Sequence, residues 1–279
     1  MTWTLSSSPD DFRAQAGDFL AAHPAENTVL LTLLHNLTEG GPHVYGPADP
    51  QFGWWRPGPD APVVGAFART PPYPLRLSLM PERAAAELAD VLAGVEVPAV
   101  GGGVVPATAF AAARPQESTV TSNERLYRLG ELVDPSPLPA GTVRLATAAD
   151  VELLVEWFGA FVAEAELAIP NENHRPTVER RTAGGHLHIW EHQGTPVSFA
   201  AVSPVIAGMS RIGPVYTPPE HRGRGYASGV VAAGSAHALA AGAEEVLLYT
   251  DLANPTSNSI YQKLGYRAVE DCVNLSFEG

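Results

Sequence analysis

The segment from Arg211 to Ala241 constrains the fold most, because it dictates a strand, a tight turn and a helix in direct succession. Arg211-Ile212-Gly213-Pro214-Val215-Tyr216-Thr217 reads as a strand, and Pro218-Pro219-Glu220 must end its ladder, since proline has no N–H to donate. His221-Arg222-Gly223-Arg224-Gly225-Tyr226-Ala227-Ser228-Gly229 follows and leads into a helix with an inner face of Ala227, Val230, Val231, Gly234, Ala238 and Ala241. Such a turn lets backbone N–H groups at a helix N-terminus converge on an anion, and Arg222 and Arg224 add charge-assisted donors. A diphosphate is the natural guest. A glycine-rich turn with two arginines also serves elsewhere as a plain cap or a solvated corner, so spacing has to decide. The form here is Arg-x-x-Gly-x-Ala, without the Gly-Lys-Ser/Thr end of a P-loop and without the three-glycine dinucleotide fingerprint. Nucleoside triphosphates and nicotinamide cofactors are therefore disfavoured.

Composition narrows the partners. The 279 residues carry 17 basic and 30 acidic side chains, and a net charge of −13 has the wrong sign for coating nucleic acid. With 45% apolar and 17% charged residues the chain can build real cores. One cysteine, Cys272, excludes an internal disulfide framework and Cys₄ or Cys₂His₂ zinc sites, and is expected to be a small buried residue. The polar, acidic stretch Met1 to Asp11 is no secretory signal, which points to the cytoplasm. The charge-free stretches His192 to Ser210 and Gly225 to Ala243 have the length of a membrane span. Their Gly, Pro, Gln and Ala content reads instead as buried soluble structure, so no membrane is expected.

The first half opens with a helix signal, Ser8 as cap with Pro9 and Asp11 behind it, and Phe12, Phe19 and Leu20 near one face. A leucine-rich helix is expected over about Thr28 to Leu37. Strands follow at Phe52–Trp55, Val63–Ala68 and Leu75–Leu79, then a helix from Pro81 through Ala93, a short strand at Val95–Val97, a helix at Pro106–Ala113 and a closing strand from Glu124 to Leu132. Asp134-Pro135-Ser136-Pro137-Leu138-Pro139-Ala140-Gly141 is too proline-rich for a strand or helix and is the expected linker. It separates domains at 1–133 and 142–279. Their charges, −7 for residues 1–135 and −6 for 136–279, do not distinguish them. The second half starts with a strand at Thr142–Ala146. Thr147 and Asp150 then cap a helix with Val151, Leu154, Val155, Phe158 and Val162 on one face. A polar loop, a helix near Thr177–Ala183 and strands His186–Trp190 and Val197–Ser203 complete the approach to Arg211.

Beyond the turn, Glu245–Thr250 reads as a buried strand, followed by Asn254-Pro-Thr-Ser-Asn-Ser-Ile-Tyr261-Gln-Lys-Leu-Gly265 and Tyr266. The Arg222–Ala227 turn, this strand, Asn254 with Tyr261 seven residues on, and the closing Leu-Gly-Tyr together resemble the GNAT superfamily of acyl-CoA-dependent N-acyltransferases. The resemblance runs from about Thr142 to the C-terminus, with its specific motifs within residues 211–267.

This resemblance implies an α/β fold with a mixed, mostly antiparallel sheet flanked by helices. It implies acetyl-CoA as co-substrate, its diphosphate held by Arg222, Gly223, Arg224, Gly225 and Ala227 with N–H groups of Tyr226 and Ser228. The backbones of Val215, Tyr216 and Thr217 would pair with pantetheine amides where that strand splays from its neighbour, and Asn254 and Asn258 would contact the pantetheine arm. Tyr261 sits where the family often places the proton donor to the leaving thiolate. It could also be a packing aromatic, Asn258 could instead cap its helix, and Lys263 could be solvated or could meet a phosphate of coenzyme A.

Strand 197–203 carries no Asp or Glu to serve as base, which leaves a water chain to Glu164, Glu166, Glu172, His186 or His188. The carboxylates Glu164, Glu166 and Glu172 lie in the loop where the family builds its acceptor pocket; they would draw in a cationic amine or merely end a helix in solvent. In the first half, Met80-Pro81-Glu82-Arg83-Ala84-Ala85 stands where the turn would be, with side chains where backbone must approach a diphosphate. The expectation is a tandem protein, two GNAT-like domains of which the first lost its acyl-CoA site, with the alternative of a family-specific extension. The expected activity is N-acetylation of a small or peptide amine by a monomer or homodimer. The competing readings are an acyl-CoA-binding sensor without turnover and an aminoacyl-tRNA-dependent transferase, the latter opposed by the intact turn and the acidic charge.

Overall fold

A computed structural model describes residues 2–165 and 173–278. Among them the first half supplies β1 (Thr2–Ser6), α1 (Pro9–Ala22), α2 (Thr28–Gly40), β2 (Gln51–Arg56), β3 (Gly65–Arg69), β4 (Leu75–Leu77), α3 (Glu82–Val91), β5 (Ala99–Gly103), α4 (Val104–Ala112) and β6 (Ser118–Leu129). The second supplies β7 (Thr142–Leu145), α5 (Val151–Glu164), α6 (Arg175–Ala183), β8 (Leu187–His192), β9 (Thr195–Val202), β10 (Met209–Tyr216), α7 (Tyr226–Ala240), β11 (Glu245–Asp251), α8 (Pro255–Lys263) and β12 (Tyr266–Phe277). The two runs repeat one order, β-α-α-β-β-β-α-β-α-β. No helix among the described residues is long and apolar enough to cross a membrane.

Two compact units result: Met1–Leu126 with Asp251–Ala253 and Ala268–Gly279, and Tyr127–Thr250 with Asn254–Arg267. In the first, the strand order is β1-β2-β3-β4-β5-β12-β6; in the second it is β6-β11-β10-β9-β8-β7. Most neighbours are antiparallel, and the parallel pairs are β4 with β5 and β10 with β11. The unit boundary differs from the one expected at residues 134–141. The C-terminal residues from Ala268 join the first unit because β12 pairs with β5, Cys272 opposite Gly103 and Leu275 opposite Val100, and buries Val273 and Leu275 in its core.

Local sequence explains most of the elements. Ser8 caps α1 by accepting from Asp11 N at 3.2 Å, and Phe12, Ala16 and Leu20 recur every four residues on its buried face. Thr147 and Asp150 form a reciprocal capping box ahead of α5, which buries Val151, Leu154, Trp157 and Phe158. One expected strand moves, and one strand forms where none was expected. The short strand placed at Val95–Val97 lies at Ala99–Gly103, after the proline. A Cβ on Gly102 would sit 3.0 Å from the carbonyl of Leu77, so the glycines of this run allow a close-packed strand. The polar opening residues form β1, paired with β2 from Thr2↔Arg56 to Ser6↔Phe52.

In the second unit α7 covers one face of the sheet, with Val230, Val231, Ala238, Val202, Ile212, Val246 and Tyr266 in one cluster. Helix α5 covers the other through Leu154, Trp157, Phe158, Phe199 and Tyr216. The proline-rich segment is docked in this unit: Trp190 Nε1 donates to Ala140 O at 3.0 Å, and Pro139 faces Gly225 and Gly229.

Candidate functional site

Strand β10 follows β11 only briefly. Met209, Ser210 and Arg211 pair with Glu245, Val246 and Leu247, and the parallel register ends there although both strands continue. On its other side β10 keeps β9 to its end, with Val215↔Ala200 and Tyr216↔Phe199, after a register shift between Ile212 and Val215. That bulge re-aims the last residues of the strand. The result is a strand, Ile212 to Tyr216, held by one neighbour and parted from the other. Its outer edge leaves backbone groups for an extended ligand to pair with.

A 3-10 turn at Pro219–His221 joins this edge to the glycine turn. Gly223 and Gly225 have φ values of +75° and +80°, which a side chain would make costly, and Gly225 is the N-cap of α7. The first rung of the helix is Gly229 N to Gly225 O at 3.0 Å, so the N–H groups of Tyr226, Ala227 and Ser228 precede its ladder. Arg222, Gly223, Arg224 and Gly225 are exposed, whereas the Tyr226 side chain is buried. A helix N-terminus, glycine backbone and two arginines are thereby assembled at one point, suited to an anion.

Arg222 is already engaged. Its Nε donates to Thr217 O at 2.8 Å, its Nη2 to Glu164 Oε2 at 2.6 Å, and the guanidinium lies 5.7 Å from the centre of the Tyr216 ring. The Tyr216 hydroxyl donates to Glu164 Oε1 at 3.1 Å; burial, and then this carboxylate, raise the phenol's pKa. Ser198, fully buried, donates to Tyr216 O at 3.0 Å and shares a 2.8 Å hydrogen bond with the Thr217 hydroxyl. Sequence reading missed Ser198, whose place opposite Tyr216 depends on the β9 register. It also missed the ring floor of Trp157, Phe158 and Phe199 beneath Tyr216, with centroids 5.1 to 6.3 Å apart.

The residues of α8 divide differently from expectation. Asn254 is the cap, its Oδ1 accepting from Ser257 N at 3.0 Å; Asn258, weighed for that role, lies inside the helix and cannot hold it. Asn258 accepts from the Tyr127 hydroxyl at 3.0 Å and donates through Nδ2 to Asn254 O at 2.8 Å. Tyr261 is 9% exposed and packs 6.1 Å from the Tyr266 ring. Burial pushes its phenol up to about 12, against a hydrogen bond with Ser257, so it carries its proton at neutral pH. Tyr261 is thus both a core aromatic and a protonated group.

Of the acceptor-side carboxylates, Glu164 ends α5 and meets Arg222, while Glu166 and Glu172 lie outside the described residues. His188 is turned away from Tyr216: its ring stands 4.7 Å from His237 of α7, on the opposite face of the sheet from α5, which removes it as a base beside Glu164. His186, just before β8, has its pKa lowered by burial and then by Arg181 and His237.

Residues 151–266 match the model of the acetyltransferase (GNAT) family. This stretch is a GNAT-family domain. Solved structures share the fold over nearly the whole chain at low identity. A GNAT-family acetyltransferase from Colwellia psychrerythraea is 13% identical with TM-score 0.63, each chain fully covered. A GCN5-related N-acetyltransferase from Sphaerobacter thermophilus is 15% identical with TM-score 0.65, over 98% of this chain and 94% of that one. A Drosophila protein is 14% identical with TM-score 0.67, over 99% and 98%. No curated protein matches the sequence. The GNAT fold therefore extends beyond the stretch that the family model matches.

Proposed function

We propose that the second unit is an N-acetyltransferase that moves the acetyl group of acetyl-CoA directly to a primary amine. One observation carries this reading: the edge of β10 freed at Arg211 is followed, after one 3-10 turn at Pro219–His221, by the Arg222–Ser228 turn at the start of α7. The N–H groups of Tyr226, Ala227 and Ser228, with Arg222 and Arg224, would hold the diphosphate, and the free edge at Val215, Tyr216 and Thr217 would pair with the pantetheine amides. Asn254 and Asn258 would border the pantetheine arm.

The chemistry asked of these residues is modest. The acceptor ammonium first gives a proton to water, the amine nitrogen bonds to the thioester carbonyl carbon and gives up a second proton to water, the carbon–sulfur bond breaks, and the thiolate takes a proton from Tyr261, which regains one from solvent. The protein supplies proximity and an N–H on the splayed strand for the developing oxyanion. Glu164, with Glu166 and Glu172, would attract an ammonium acceptor, a small amine or a peptide amine.

In the first unit the same order of elements supports a degenerate second copy. There Pro81 stands ahead of α3 without a side-chain cap, no glycine precedes the helix from Leu79 to Pro81, and Ala84 and Ala85 of its first turn are fully buried. A non-catalytic acyl-CoA sensor is the second reading of the chain, favoured by the burial of Tyr261 in the core.

The test is release of free thiol from acetyl-CoA across a panel of primary amines. Turnover with one amine class, falling in Tyr261→Phe, supports the enzyme. Tight acetyl-CoA binding with no turnover for any amine supports the sensor.

A further inference from the structure

The pairing of Glu164 with Arg222 joins two groups that the acyl-CoA reading puts to different uses. Arg222 belongs to the anion-binding turn, whereas Glu164 ends the helix that leads into the acceptor loop. The two meet at 2.6 Å, and the other carboxylate oxygen holds the Tyr216 hydroxyl at 3.1 Å. A diphosphate and Glu164 are both anions, and both need the same guanidinium edge. Arg222 Nε is tied to Thr217 O, so the side chain is already aimed and Nη2 is the donor in contention. Both partners are about half exposed, 47% and 45%, so their pair is weak, and a doubly charged group seated on the helix N-terminus outcompetes it.

We propose that Glu164 is a latch on Arg222, held in the free protein and displaced by the diphosphate of acyl-CoA. Glu164 is a positioning residue: its carboxylate leaves Arg222 only once the co-substrate is bound, and it then stands beside Tyr216 at the end of α5. The proposal rests on the acyl-CoA reading above and adds an order of events to it. An acceptor-side charge becomes available after acyl-CoA binds, never before.

A double-mutant cycle on acetyl-CoA affinity tests it, with the full chain and isothermal titration. Arg222→Ala weakens binding by about tenfold or more through loss of charge-assisted hydrogen bonds. Glu164→Gln tightens it by about two- to fivefold, the size of an exposed ion pair. In the Arg222→Ala background Glu164→Gln gives no gain, because the latch has nothing to hold. Three results overturn the latch. Glu164→Gln leaving affinity unchanged or weaker shows that no competition exists. A gain that persists without Arg222 shows simple through-space repulsion. Failure of the unmutated protein to bind acetyl-CoA removes the underlying reading as well, and only that result does so. If Arg222→Ala does not fold, as judged by its thermal transition, Arg222→Gln takes its place in the cycle.

Discussion

The carboxylate of Glu164 and the guanidinium of Arg222, 58 positions apart in the chain, are in hydrogen-bond contact at 2.6 Å. The resemblance to the GNAT family implies an acceptor for the first and a diphosphate for the second, and the packing of α5 against β10 brings them together. Under the proposed function the acceptor side and the cofactor side of the site would lie within one side chain of each other.

Removing the Tyr261 hydroxyl is expected to lower kcat by about a hundredfold, the lower range for loss of a general acid, while acetyl-CoA affinity changes little. The phenol is protonated well past neutrality, so its donation is not limited by pH below about 10. Steady-state kinetics of Tyr261→Phe with an amine found in the thiol-release screen measures this. An unchanged kcat would reduce Tyr261 to its packing role.

Helix α7 lies on the sheet as closely as its small residues permit. A Cβ on Gly229 would be 2.8 Å from Pro139 Cγ and 2.9 Å from Trp190 Cζ3. Gly229→Val is expected to destabilise the protein by about 1–3 kcal/mol through overpacking, and to weaken acetyl-CoA binding by shifting the start of the helix. Urea denaturation of the variant measures the first and titration the second. A stability equal to the parent's would show that the Pro139 segment yields freely.

His188 makes stability sensitive to mild acid. Its ring is buried, neither nitrogen has a hydrogen-bond partner among the described residues, and burial, then His237 and His186, lower its pKa to about 4. The unfolded chain takes up the proton near pH 6.5 and the folded protein resists it. Stability is therefore full above about pH 6.5 and falls by up to about 3 kcal/mol as pH drops toward 4. Denaturation at pH 7.5 and 5 in His188→Leu should show a flatter slope than in the parent, and an equal slope would assign the loss elsewhere.

Asp150 works in a lower window. Its carboxylate accepts from Arg144 Nη1 and Nη2 at 2.8 and 2.9 Å and from Thr147 N at 2.8 Å, and Arg144 foremost holds its pKa down at about 2. The stabilisation of about 2 kcal/mol is present above pH 3.8 and is lost as pH falls through 2. Asp150→Asn is expected to cost about 2–3 kcal/mol at pH 7, since it also leaves Arg144 with the Glu191 carboxylate and the Leu145 carbonyl. A melting temperature unchanged at pH 7 would contradict this.

The site was legible in the sequence where backbone carries the chemistry. A turn that must bring N–H groups onto an anion needs positive φ, and Gly223 and Gly225 announce it. The boundaries of α1 and α5 were legible because Ser8 and the Thr147–Asp150 box satisfy their own helix ends locally. What depends on long-range register was not. Nothing near Cys272 says that it lies opposite Gly103, so the last strand was counted with the second half, although Val273 and Leu275 pack in the core of the first unit. The cap of α8 was sought at Asn258 for a related reason: both asparagines have cap chemistry, and only the helix start at Pro255 assigns it to Asn254. Cys272 itself is buried as expected, and burial, reinforced by Glu270, pushes its thiol up to about 12, which leaves it unreactive.

The central claim is that the second unit holds acyl-CoA on the β10 edge and the Arg222–Ser228 turn. Isothermal titration of the full chain with acetyl-CoA, beside a variant carrying Arg222→Ala and Gly225→Glu, tests it most directly. The account predicts micromolar binding near one acetyl-CoA per chain, abolished in the variant while its thermal transition persists. Binding near two per chain would contradict a degenerate first unit, and no binding by the unmutated protein would make the glycine turn a structural corner.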